Sequence, residues 1–164
     1  ASGFEVGTPF ESRNGYDPRG RDGRLLSEHW AEGMRTKHGT HVHGFPNLFI
    51  VQPTQGANLI SNVPHNLVEA GTTIALVCKH ALAQGHDQVE VTAEAEQSWL
   101  DLLASGPGMI IGSADCTPGY YNNEGQPGGP GAWTFVGYPM SASAYFTYRD
   151  QWRTRGDFEG LAFR

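Results

Sequence analysis

Residues 44–62, GFPNLFIVQPTQGANLISN, are the part of this chain best arranged for chemistry. The apolar run Asn47–Val51 predicts a short strand, a loop with Pro53 and Gly56 follows, and Ser61-Asn62 opens a long apolar-periodic helix. A helix start carries about half a positive charge and up to four free N–H groups. Strand, Gly-containing loop and helix start together present backbone donors to an anionic or electron-rich ligand. The same pattern also serves, more commonly, as a plain strand-to-helix connection. A second candidate is the loop 116–127, where Tyr120, Tyr121, Asn122, Asn123 and Glu124 sit among glycines and prolines. Aromatic rings stack on a flat ligand and amides bond to its edge, although a surface loop has the same composition. His38, His41 and His43 form H-x-x-H-x-H, which matches no strong zinc signature and has no adjacent acidic or Cys partner. No metal is expected there, and the three read as loop and strand-edge histidines. The sequence shows no P-loop, no Ser-His-Asp order and no G-x-G-x-x-G after a strand.

These candidates need helices to hold them. The most secure prediction is a helix from about Pro64 to Gln84, with Asn62 as its N-cap and Gly85 just past its end. Its apolar face is read as Leu67, Gly71, Ile74, Cys78 and Leu82. Gly71 costs a helix about 1 kcal/mol relative to Ala, which predicts close packing on another backbone. A second helix is expected over Ala93–Ala104, capped by Thr92, with Ala95, Trp99, Leu102 and Leu103 inward. Glu90, Glu94 and Glu96 read as its solvated start. Short strands are expected at Met109–Ile111 and Trp133–Val136. A third helix is expected over Ala142–Arg155, with Tyr145, Tyr148 and Trp152 inward and Arg149, Arg153 and Arg155 favourably placed near its C-terminus. Phe158–Phe163 closes as a strand. In the N-terminal third, Asn14-Gly15 and Asp22-Gly23 predict turns flanked by short strands, with Arg19 and Arg21 solvated. Leu25–Trp30 reads as a strand end or one helical turn.

Composition narrows the function classes. The chain has 164 residues, enough for one domain with a core, and its 22 Gly and 10 Pro require much loop. A net charge of −6 with no basic stripe argues against nucleic acid. No apolar run is long enough to span a membrane. Cys78 and Cys116 are far apart, and Cys78 falls in an apolar helical pattern. No disulfide is expected, and the context reads as reducing and cytoplasmic.

Segments along the whole chain, read in order, carry a resemblance. ASGFEV, GYDPRGRDGRLLSEHW, HGTHVHGFPNLFIVQP, ANLISN, CTPGYYNNEGQP and WRTRGDFEGLAF resemble the C-terminal part of Baeyer–Villiger monooxygenases, FAD- and NADPH-dependent flavoproteins. ASGFEV is similar to the family's hinge motif, with Ser2 in place of Thr. The resemblance implies an α/β fold, the C-terminal portion of a Rossmann-like flavoprotein with two dinucleotide-binding domains and long Gly/Pro-rich loops. Residues 1–105 would hold the hinge, strand–loop–helix and second helix, and 106–164 an active-site tail. It further implies that Gln55, Gly56, Asn62 and Val63 meet the flavin, Tyr120 the nicotinamide, and Asn58, Leu59 and Ile60 the substrate pocket. The family oxidises a ketone with O₂ to an ester or lactone through a C4a-peroxyflavin. Its Gly-rich cofactor motifs and catalytic Arg are expected upstream of Ala1, so the chain is expected to be a fragment, inactive alone and prone to self-association. The rival expectations are a related flavoprotein oxidising amines or sulfides, and a non-catalytic module binding sugar or peptide through the aromatic–Asn loop.

Overall fold

Local sequence signals set the three longest helices of this chain. In order, the elements are α1 (Phe10–Asn14), α2 (Leu26–His29), α3 (Val63–Ala83), β1 (Val89–Val91), α4 (Ala93–Ala104), α5 (Ala142–Arg155) and β2 (Leu161–Phe163). They are taken from a computed structural model, which describes residues 10–52, 54–57, 61–106, 117–118, 134 and 136–164. The architecture is mixed α/β. Helices α3, α4 and α5 each start on a side chain that accepts a backbone N–H: Asn62 from His65, Thr92 from Ala95 and Ser141 from Ala144. Each such cap is worth about 1 kcal/mol. Helix α3 ends as expected, with Gly85 at φ 77°, a conformation that disfavours a Cβ.

The expected strand over Asn47–Val51 does not form. Asn47 adopts φ 60°, which breaks the extended run, and the segment keeps only the isolated bridge His41↔Phe49. Asn47 instead acts as an adaptor to β1. Its N–H donates to Val89 O (2.9 Å), its Oδ1 accepts from Val89 N (3.0 Å), and its Nδ2 donates to Asp87 O (2.9 Å). The closing strand is shorter than expected. Phe158 turns at φ 48°, and only Leu161–Phe163 pairs, antiparallel to β1 with Val89 opposite Phe163 and Val91 opposite Leu161. Near the N-terminus, Gly15 ends α1 by donating to Glu11 O, so that turn is a helix terminus and not a hairpin. Gly23 turns the chain between the bridged residues Arg19 and Leu25, and Leu26–His29 forms the single helical turn. The expected strands over Met109–Ile111 and Trp133–Val136, and Cys116, fall wholly or largely outside the described residues.

Helix α3 buries a different face from the one expected. Asn66, Ala70, Thr73, Val77 and Ala81 are inside, one position back from the apolar stripe. Leu82 is 75% exposed and Leu67 37%. A Cβ on Gly71 would meet nothing within 4 Å among the described residues, so no described backbone explains that glycine. The helix therefore has a small, partly polar face turned into this chain and an apolar face turned away from it. Cys78 lies on that outer face as a free thiol. Helix α4 packs Trp99, Leu100 and Leu103 inward, while Ala95 and Leu102 are half-buried. Trp99 and Trp152 are core residues, as expected. Among the described residues, no helix is long and apolar enough to cross a membrane.

Candidate functional site

The loop 54–57 leads toward the start of α3, and all four of its residues are buried. Gln55 sits at φ 51° with its side chain fully inside the chain. Its Oε1 accepts from Thr36 Oγ1 (2.6 Å), and its Nε2 donates to Met34 O (2.7 Å). Its carbonyl accepts from Trp99 Nε1 (3.2 Å). Gly56 is held from the other side, where its carbonyl accepts from Tyr138 N (2.8 Å). A Cβ at Gly56 would lie 2.7 Å from the Tyr145 hydroxyl, so the ring of Tyr145 packs directly on the glycine backbone. One residue earlier, the Thr54 carbonyl closes on Gly39, where a Cβ would lie 2.2 Å from it. The loop is thus clamped by six residues from outside it: Met34, Thr36, Gly39, Trp99, Tyr138 and Tyr145.

The start of α3 is open. Asn62 is exposed and Val63 half-buried. Asn62 Oδ1 accepts from His65 N (3.2 Å), and Asn66 Nδ2 donates to Ser61 Oγ (2.6 Å) and Asn62 O (3.0 Å). The His65 ring packs edge-on against Phe146 of α5 (4.6 Å). An accessible, capped end of a 21-residue helix suits an electron-rich ring edge. Of the residues read as cofactor-facing, Asn62 and Val63 lie at this open end. Gln55 and Gly56 are buried, with the Gln55 side chain bonded to Thr36 and Met34. Asn58, Leu59, Ile60 and Tyr120 fall outside the described residues.

Beneath the loop lies a polar centre on α5. Arg149 is only 3% exposed. Its Nη1 donates to His38 O (3.0 Å) and to the Tyr145 hydroxyl, and its Nη2 donates to Thr73 Oγ1 (2.7 Å). This corrects the reading of Arg149 as a helix-end charge, since one guanidinium joins α5, α3 and the turn at 38–40. His38 is enclosed by Trp99, Tyr148 and Trp152, and its Nε2 lies 3.1 Å from the Tyr148 hydroxyl. Burial, then the charges of Arg149 and Lys37, push the His38 imidazole well below its ordinary range. The same causes push His41 down to about 3. His38 lies in a turn and His41 at an isolated bridge, as read from the sequence, and both are buried. Burial, opposed by Glu159 and reinforced by Arg149, also lowers Lys37. Trp99, Tyr138 and Tyr148 stack with centroids 5.8–5.9 Å apart. No group of three or more potential metal ligands occurs among the described residues.

Two glutamates read as solvated are buried instead. Glu96 Oε1 accepts from His43 N (2.8 Å), and Glu90 Oε1 accepts from the next amide, Gly44 N (2.8 Å). Glu90 also binds Arg21 and Arg164, and Glu96 binds His29 and Arg35. Burial alone would raise the Glu96 carboxyl. Hydrogen bonds from His29 and the His43 amide, with the charges of His29 and Arg35, outweigh it and hold the group below its ordinary value. The two carboxylates orient the 43–44 turn that leads into the Asn47 adaptor. The sequence reading missed Arg149, although its helical spacing from Tyr145 and Trp152 could have placed it on their buried face. Nothing local pointed to Glu90 or Glu96.

No family model matches the chain. Its relatives are informative. Pentalenolactone D synthase of Streptomyces arenae is 37% identical over 174 residues, covering 100% of this chain and 28% of the relative. A Baeyer–Villiger monooxygenase of Streptomyces coelicolor is 39% identical, with 100% and 27% covered. The chain belongs to the Baeyer–Villiger monooxygenase family. It spans little more than a quarter of the length of these relatives. Among solved structures, the polycyclic ketone monooxygenase of Thermothelomyces thermophila superimposes with a TM-score of 0.73 at 26% identity, over 97% of this chain and 26% of that one. An oxidized steroid monooxygenase bound to NADP gives the same TM-score, 0.73, at 22% identity, over 93% and 27%. The family fold is therefore present in this segment.

Proposed function

We propose that this chain is the C-terminal, cofactor-facing segment of a larger FAD- and NADPH-dependent Baeyer–Villiger-type monooxygenase, one that oxidises a ketone with O₂ to an ester or lactone. The observation that carries the reading is the end-to-end match to family members at 37–39% identity over about 28% of their length. Two features of the chain support it. The capped start of α3 is accessible and fits the electron-rich edge of a flavin. The apolar outer face of α3 lacks a partner among the described residues, as expected if the rest of a Rossmann-like two-domain flavoprotein packs there.

Bound flavin and nicotinamide supply the hydride and oxygen chemistry. This chain's residues orient and shield. Asn62 and Val63 present the helix end to the flavin. Gln55 and Gly56 set the height of that end from below, through Thr36, Trp99, Tyr138 and Tyr145. Asn58, Leu59 and Ile60 shape the ketone pocket, and Tyr120 meets the nicotinamide. The test is the full-length protein loaded with FAD. Ketone-dependent NADPH oxidation with stoichiometric ester in the product is the expected result. N- or S-oxidation with no ester from any cyclic or polycyclic ketone would assign it to the other flavoprotein class.

A further inference from the structure

The most unusual charge in the molecule is the Arg149 guanidinium. A buried cation is costly unless it is paired, and Arg does not escape the cost by losing its proton. Arg149 is almost wholly enclosed, yet among the described residues no carboxylate forms an ion pair with it. Its partners among the described residues are neutral: His38 O, the Tyr145 hydroxyl and Thr73 Oγ1. Its Nε has no hydrogen-bond partner among the described residues. The charge acts on its surroundings, since it helps hold His38, His41 and Lys37 toward their neutral forms. Its neighbour on α5, Arg153, is different, being paired with Glu69 at 2.8 Å and Asp150 at 3.4 Å.

The position matters as much as the charge. Arg149 touches the Tyr145 hydroxyl, and its guanidinium carbon lies 5.5 Å from the centre of that ring. The same hydroxyl packs on Gly56. One tyrosine therefore separates this cation from the loop at Gly56. We propose that Arg149 is an electrostatic positioning residue whose buried cation, without a carboxylate partner among the described residues, biases the flavin site toward the reduced, negatively charged form of the cofactor. The inference rests on the 54–63 segment facing the flavin. The positive helix end and the guanidinium then act with the same sign.

In general, a unit charge about 10 Å from a developing opposite charge, at an effective dielectric constant of about 20, shifts an equilibrium about tenfold. For a two-electron couple, a tenfold change is about 30 mV. The test is the midpoint potential of bound FAD in the full-length protein, with FAD affinity and thermal midpoint measured alongside. Arg149→Met should make reduction about tenfold less favourable, lowering the potential by about 30 mV. Arg149→Lys, which keeps the charge, should stay within about threefold of the parent. Thr73→Asp places a carboxylate on the guanidinium and should lower the potential as Arg149→Met does, so it decides the matter if Arg149→Met does not fold. Arg153→Met is the control for α5, expected to lower the thermal midpoint and leave the potential alone. A purely structural Arg149 would leave the potential unchanged in Arg149→Met and Thr73→Asp, and that result overturns the proposal. So does an equal shift in Arg153→Met. Asn62→Ala separates the two levels of the argument. If it weakens FAD binding while Thr73→Asp and Arg149→Met leave the potential unchanged, the loop reading stands and the role of Arg149 falls. If none of the variants alters affinity or potential, the loop does not face the flavin.

Discussion

Acid should unfold this protein through its buried histidines, and His41 permits the size of the effect to be worked out. Its ring lies against Phe49 and Trp152, its Nε2 has no hydrogen-bond partner among the described residues, and burial, Arg149 and Lys37 hold its pKa at about 3. In the unfolded chain the same imidazole takes up a proton near pH 6.5. Between those two values the unfolded state carries one more proton than the folded state, so stability rises with pH and is lost on acidification. The slope is roughly 1.4 kcal/mol per pH unit, and the loss between pH 7.5 and 5 is about 2 kcal/mol from His41 alone. The full difference, about 5 kcal/mol, is reached near pH 3. His38 is shifted in the same direction and adds a loss of the same sign. Because a domain has only about 5–15 kcal/mol of stability in total, these two residues should set the acid limit of the fold. The assay is urea unfolding followed by tryptophan fluorescence at pH 7.5 and 5, on the parent and on His41→Gln. The variant should be less stable at neutral pH, yet its difference between the two pH values should be about 2 kcal/mol smaller. An unchanged pH difference refutes the reasoning. So does an NMR titration in which the His41 imidazole of the folded protein protonates near pH 6.5.

Other expectations follow from single contacts. Gly39→Ala should destabilise by about 3 kcal/mol or more, because its Cβ would meet the Thr54 carbonyl at φ 72°, and backbone cannot move aside as a flexible side chain does; a thermal melt reads it. Gly71→Ala should stabilise this 164-residue chain by up to about 1 kcal/mol, since a Cβ there meets nothing, and should destabilise the full-length enzyme if another backbone packs on that face. The chain alone should self-associate in light scattering through exposed Leu67, Val68 and Leu82, and Leu82→Glu should reduce it. Below the ordinary carboxylate range the Glu96 network should fail. Its carboxyl is held low in the fold, so its contribution is present above the unfolded pKa and lost as pH falls through the folded one. Glu96→Gln should remove that component from the acid unfolding curve.

What could be read from the sequence depended on how far away each partner lay. Asn62, Thr92 and Gly85 were legible because a cap bonds within one helical turn. The strand over 47–51 does not form, because an apolar run does not reveal that Asn47 takes a left-handed conformation and bonds to β1 through its side chain. The inner face of α3 was misplaced by one residue because the larger apolar side chains mark the face turned away from this chain. Glu90 and Glu96 looked solvated because they open a helix, while the amides they hold are 46 and 53 residues away. Arg149 meets His38 across 111 residues, a pairing no local pattern encodes.

The clamp on residues 54–57 also bears on how such enzymes can be re-engineered. The segment looks like a portable cassette, short and bounded by Pro53 and Asn62. Its shape is not its own. Met34, Thr36, Trp99, Tyr138 and Tyr145 supply the mould, and they are scattered over more than a hundred positions. Transplanting the loop between relatives without those five would move the letters and leave the conformation behind. In diversification libraries, the productive unit at this site is the loop together with its mould, and the aromatic residues of α4 and α5 should vary in step with it.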